Sequence, residues 1–199
     1  MNGKTIKILS VGFLISMLIA VTAFPTANTQ PTGIDPTITE MVEANGCGCH
    51  DTNPSSGVSI TLSGLPDGNF NVSQVYTLTL NITGGPDAME GGNQGGFFIS
   101  ASQGTLTAID DNVWKPEGET HLTHTGDGNK FREWTFNWTA PESDSVVAEF
   151  KVYGNSVNGN EDGSGGGVVG DSWNQASFAV AGANAVISDS DGLSTPQKI

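Results

Sequence analysis

Beyond residue 57 the chain alternates with a period of two. Val58, Ile60 and Leu62 alternate with polar residues, as do Tyr76, Leu78, Leu80 and Ile82. Trp134, Phe136 and Trp138 interleave with Glu133, Thr135 and Asn137. Val146, Ala148, Phe150 and Val152 follow, and Phe178 with Val180 closes the series. Alternation of this kind marks half-buried strands, because successive side chains of a strand leave on opposite faces. Phe97–Ile99 and Gly104–Ile109 add two more candidates. Short strands separated by Gly, Asn and Asp turns predict an all-β fold: an immunoglobulin-like β-sandwich of seven to nine strands. The Trp134/Trp138 stripe is assigned to its core. Only one helix is expected, with Asp35 as cap, Pro36 in its first turn, Ile38, Met41 and Val42 on one face, and Asn45-Gly46 as its stop.

The N-terminus has a different pattern. Lys4 and Lys7 precede a continuous apolar run, Ile8–Ala23, ending in small residues, which is the tripartite form of a secretory signal. The alternative is an uncleaved N-terminal anchor, the only route by which this chain would meet a membrane. The expected organisation is a signal over 1–23, a spacer with the short helix over 24–45, the sandwich over 46–182 and a polar tail over 183–199. The body is then extracellular, secreted or held at the cell surface. Three glycosylation sequons, beginning at Asn71, Asn81 and Asn137, agree with an exported domain.

Charge sharpens this picture by exclusion. With 7 basic and 21 acidic residues the net charge is −14, and losing Lys4 and Lys7 gives 5 − 21 = −16. No nucleic acid is expected as a partner, since phosphate binding needs clustered cations. Twelve of the 27 glycines fall in two long loops, Gly84–Gly96 and Asn155–Asp171, and loops of this length are expected to be binding loops or disordered.

Candidate chemistry rests on Gly46-Cys47-Gly48-Cys49-His50. Two cysteines one residue apart cannot staple distant strands, which leaves metal ligation, cofactor attachment or thiol chemistry. Attachment of c-type haem uses C-x-x-C-H, one residue longer. Cys49 with His50 could still hold haem, and two thiolates with an imidazole also supply three of the four ligands of a copper or zinc site. Either His121 or His124 could supply the missing ligand. Asn158, Asn160, Asp162 and Asp171 form a looser Ca²⁺ candidate, which departs from an EF-hand because its twelfth position is Val169. Gly170-Asp171-Ser172 follows every histidine in the chain, so a hydrolase is discounted and no catalytic residue is assigned.

The ordered motifs Gly46-Cys-Gly-Cys-His50, Gly57-Val-Ser-Ile-Thr-Leu62, Tyr76-Thr-Leu-Thr-Leu80, Gly96-Phe-Phe98, His124-Thr125, Trp134-Thr-Phe-Asn-Trp138, Phe150-Lys-Val-Tyr-Gly-Asn155 and Gly170-Asp171 resemble the Reeler-like, or choice-of-anchor V, domain of exported prokaryotic surface proteins. The likeness covers about residues 46–180. It implies an immunoglobulin-like sandwich at the cell surface and a c-type haem near the domain start. Cys49 and His50 match the attachment motif, Cys47 matches with a shift, and His124 becomes the candidate second axial ligand. Two functions follow as expectations. The first is a small redox or metal centre on Cys47, Cys49, His50 and His124 serving electron transfer or metal carriage, with a redox partner. The alternative is a cofactor-less structural, adhesive or glycan-binding module that meets a cell-surface component.

Overall fold

A computed structural model of the chain describes residues 32–48, 50–51, 53–160 and 170–186. The signal segment lies outside these residues, as do Cys49, Asp162 and the tail after residue 186. One short helix, α1 (Thr39–Asn45), precedes nine strands: β1 (Val58–Ser63), β2 (Val75–Gly84), β3 (Gly95–Ala101), β4 (Thr105–Ala108), β5 (Val113–Trp114), β6 (Leu122–His124), β7 (Glu133–Thr139), β8 (Val147–Ser156) and β9 (Ser172–Ala181). Among the described residues no helix is long and apolar enough to cross a membrane.

The strands form two antiparallel sheets, ordered β1-β2-β7-β4 and β5-β6-β3-β8-β9. The first, with β3-β8-β9 of the second, reproduces the four-plus-three arrangement of an immunoglobulin constant-type sandwich. The β5-β6 hairpin is added beside β3. Register follows the apolar alternation: Leu78 faces Phe136, and Leu80 faces Trp134. A shift of one residue would turn both sets to solvent.

The core is the Trp stripe and what it touches. Trp138 is fully buried, edge-on to Phe70 and Phe150 and stacked on Tyr76. Burying an indole strands its N–H unless an acceptor is supplied. Trp138 Nε1 therefore donates to the Gln103 carbonyl at 3.0 Å, and Trp134 Nε1 to that of Gly128 at 2.8 Å.

The two sheets differ on their outer faces. On the four-stranded sheet the outward positions of β1, β2, β4 and β7 are exposed or half-buried. The five-stranded sheet is covered again: Phe98, Tyr153 and Trp173 point away from the core and are buried by Val42 of α1, with Ile34 and Cys47 packed alongside. The described residues between 32 and 55 thus form a strap across this sheet, giving part of the molecule a third layer.

Candidate functional site

The strap begins with a turn. The Asp35 carboxylate accepts the Thr37 N–H at 2.8 Å and also the Thr37 hydroxyl, which delays the helix to Thr39. Gly46 ends it with φ of 64°. Here glycine is required twice over: the conformation is left-handed, and a Cβ would lie 2.3 Å from Cζ3 of Trp173. The indole under this glycine is a clamp for the following turn, since Trp173 Nε1 donates to the Asp51 carbonyl at 2.8 Å and Ser55 N–H donates to the Trp173 carbonyl at 2.7 Å.

Cys47 and His50 leave the same turn, closed by the His50 N–H donating to the Cys47 carbonyl at 2.8 Å. Cys47 is half-buried against the Phe98/Tyr153/Trp173 cluster. Burial pushes the Tyr153 phenol above its ordinary value, and the neighbouring Glu43 and Cys47 add to the shift. The Tyr153 hydroxyl donates to the Glu43 carbonyl at 3.1 Å, another tie to the strap.

His50 sits on a polar floor. Its Nδ1 lies 2.9 Å from Asp171 Oδ2, and its Nε2 lies 2.7 Å from Asn155 Nδ2. These contacts fit the neutral tautomer that donates from Nδ1 to the carboxylate and accepts the Asn155 amide at Nε2. The Asp171 side chain is only 2% exposed, against 18% for His50. Its other oxygen accepts the Asn158 N–H at 3.0 Å. Asn155 Oδ1 is buried without a hydrogen-bond partner among the described residues.

The other histidines occupy separate positions. His121 stacks on Phe98 with ring centroids 4.6 Å apart, with Nε2 3.2 Å from the Ile34 carbonyl and Nδ1 3.4 Å from Glu119 Oε2. His124 turns the other way and accepts the Phe97 N–H at Nδ1, 3.2 Å. It lies against Gly96, where a Cβ would stand 2.5 Å from its ring and 2.9 Å from Asn155 Oδ1. Asn155 therefore neighbours both the His50 and His124 rings. With both ring nitrogens engaged, His50 becomes a ligand only if Asn155 gives up Nε2 or Asp171 gives up Nδ1. Cys49 is outside the described residues. Among those described, no three His, Cys, Asp or Glu side chains gather in a metal-holding arrangement.

The two glycine-rich loops meet at one end of the sandwich. Met89 N–H donates to the Asn158 carbonyl at 2.9 Å and Val157 N–H to that of Gln94 at 2.8 Å. Arg132 fastens both: Nε to the Gln94 carbonyl at 2.9 Å, Nη1 to Gly84 at 3.0 Å, and Nη2 to Pro86 at 2.5 Å and Val157 at 3.3 Å. Of the Ca²⁺ candidates, Asn158 forms a turn by accepting the Asn160 N–H at 3.1 Å, and Asp171 has both oxygens in hydrogen bonds. Asp162 lies outside the described residues.

Sequence reasoning gave Asp171 a ligand role only in the Ca²⁺ group, and gave no site role to Asn155 or Trp173, although Asn155 and Asp171 both fall in motifs of the Reeler-like resemblance. The available signal was Asn155 two residues after Tyr153, on the outer face of β8 that the strap covers.

No protein-family model matches the chain, and no curated protein matches it. The Reeler-like resemblance is met again among solved structures. One fragment of the human F-spondin reeler domain is similar at 13% identity over 72% of this chain and 97% of that one, with a TM-score of 0.44. A second fragment of the same domain is 14% identical over 64% and 91%, with a TM-score of 0.42. A conjugative transposon lipoprotein from Bacteroides eggerthii DSM 20697 is 13% identical over 63% and 98%, with a TM-score of 0.35.

Proposed function

We propose that this protein is an exported cell-surface module that acts by adhesion or as a structural element, without catalysis, and meets a cell-surface component through its sandwich. The observation that carries this reading is the use made of the Cys-x-Cys-His turn. His50 is committed to Asp171 and Asn155, and Cys47 packs against the buried cluster of Val42, Phe98, Tyr153 and Trp173. A histidine held at both nitrogens anchors a strap, and its Nε2 lone pair is spent on the Asn155 amide unless that contact opens. Expressed with its N-terminal segment in a haem-maturing, secretion-competent host, the protein is expected in the exterior fraction. It should adhere to cell envelopes equally well as wild type and as a Cys47→Ser/Cys49→Ser variant. A Soret band, or stoichiometric copper or zinc that the double variant loses, would overturn the reading.

One observation favours a second reading, a redox or metal centre. Cys47 and His50 issue from a single turn on the outside of the sheet, where a cofactor could be reached without opening the core. Cys49 would complete the donor set, with Asn155 displaced from Nε2. Absorption and metal analysis of the same preparation separate the two.

A further inference from the structure

The outer face of the four-stranded sheet is uniform in composition. Period and register put fourteen side chains of β1, β2, β4 and β7 on this face, from Ser59 to Thr139. All are Ser, Thr or Asn except Val75 at one end and Glu133 at the other. The face carries one charge, Glu133, and no cation, in a chain with 21 acidic and 7 basic residues. What sets it apart is that twelve of its fourteen side chains are Ser, Thr or Asn.

We propose that this face is a binding surface for an uncharged polysaccharide. The proposal rests on the adhesive reading above and gives that reading a ligand class. Cross-strand rows such as Ser63–Thr79–Thr135 and Thr77–Asn137–Thr107 line up hydroxyls and amides. Neighbouring strands lie ~4.8 Å apart, and like-facing residues ~6.7 Å apart along a strand. A hydroxyl both gives and takes hydrogen bonds, and a carboxamide has two donors and an acceptor. An array of them matches a polymer whose own surface is repeating hydroxyls. Part of the capacity is used within the sheet: Thr77 donates to Asn137 Oδ1 at 3.0 Å, and the Thr79 and Thr135 hydroxyls are 3.4 Å apart. That fixes the side chains and leaves the Asn137 NH₂ and the hydroxyl lone pairs to face outward. β-Branched threonines are already restricted at χ1, so binding orders them at small entropic cost.

Other ligand classes lack a counterpart here. No Lys or Arg lies on the face to meet phosphate, sulfate or uronate groups, and the chain's charge of −14 repels them. No aromatic side chain lies on it, and its one aliphatic, Val75, is at the rim, so an apolar partner gains little.

The test is co-sedimentation of the exported protein with insoluble cellulose, chitin and a neutral β-glucan. A uronate gel serves as the anionic control, and adhesion to intact envelopes is measured in parallel. At least one neutral polymer is expected to retain the protein and the uronate to fail. Thr77→Val/Thr79→Val/Thr135→Val keeps β-branched shape while removing hydroxyls, and should weaken binding tenfold or more with an unchanged melting temperature. Thr79→Lys, placing one charge at the centre, should do the same if the triple variant folds poorly. Retention of wild-type affinity by both folded variants, equal binding to uronate, or binding to no polysaccharide would each overturn the proposal. In the first and last cases, continued adhesion to envelopes would leave the adhesive reading standing. Loss of envelope adhesion by the wild type together with a bound haem or metal would remove both.

Discussion

Replacing Asp171 tests a buried polar tie of the strap, since its side chain is only 2% exposed. Asp171→Ala removes two acceptors, stranding the His50 Nδ1–H at 2.9 Å and the Asn158 N–H at 3.0 Å. An unsatisfied buried donor costs about 1–3 kcal/mol. His50 and Asn158 are each partly reached by solvent, so the lower half of that range applies to each, about 3 kcal/mol together. For a domain of this size that is roughly 6–12 °C in melting temperature. Asp171→Asn should be milder, because the network can invert. His50 can move its proton to Nε2 and accept the new amide at Nδ1. Asn155 can then turn its carboxamide to receive Nε2–H with an oxygen that has no hydrogen-bond partner now. We expect about 1 kcal/mol for Asn, and a non-additive penalty when Asn155→Ala is added. Urea melts followed by tryptophan fluorescence give the total, and amide exchange across residues 46–51 separates strap opening from global unfolding. A loss below about 0.5 kcal/mol for Asp171→Ala, or equal losses for Ala and Asn, would refute the reasoning.

Arg132→Met removes four donor contacts to loop carbonyls; it should cost about 2 kcal/mol and make residues 85–94 the first site of limited proteolysis. Tyr153 is held protonated in the folded state by burial, so its stabilising contribution is full below the ordinary phenol value of 10.0 and is lost as pH rises beyond it. Melting temperature above pH ~10 should therefore fall more steeply for wild type than for Tyr153→Phe. Gly154→Ala drives a methyl to 2.4 Å from Ile82 Cδ1, at about 1–3 kcal/mol; Ile82→Val should recover part of it in a double-mutant cycle by denaturant melts. In a host that glycosylates N-x-S/T, mass spectrometry should find sugar at Asn71, in an exposed turn. Asn81 and Asn137, hydrogen-bonded within strands, should stay bare.

Where one face of a strand meets the core and the other meets water, the sequence carried the answer. β7 reads off Trp134, Phe136 and Trp138 directly, and the same holds for β1 and β2. The five-stranded sheet was harder because the strap buries its second face. In β3, Phe97, Phe98 and Ile99 are all apolar, so no alternation survives. In β9 only Phe178 and Val180 signalled a strand that starts at Ser172, and Trp173 was invisible as an outward anchor. β5 and β6, at two and three residues, are too short to show a period. The helix starts later than its cap suggested because Asp35 is engaged with Thr37. The His50–Asp171 contact joins residues 121 apart in sequence, and no local spacing encodes such a pair. The alternating Thr and Asn positions were legible as polar; that they make one nearly uncharged surface needed the register of four strands.

The length of that His50–Asp171 connection has a consequence for the order of folding. Contacts that close long loops form late, since the chain entropy must be given up before they return anything. The strap has no sheet to lie on until β3, β8 and β9 are assembled, and Trp173 and Asp171 are supplied from the far end of the domain. A chain that emerges N-terminus first therefore holds the Cys47 turn undocked until β3, β8 and β9 are made. Protection of that turn then reports that the sheet beneath it has been assembled.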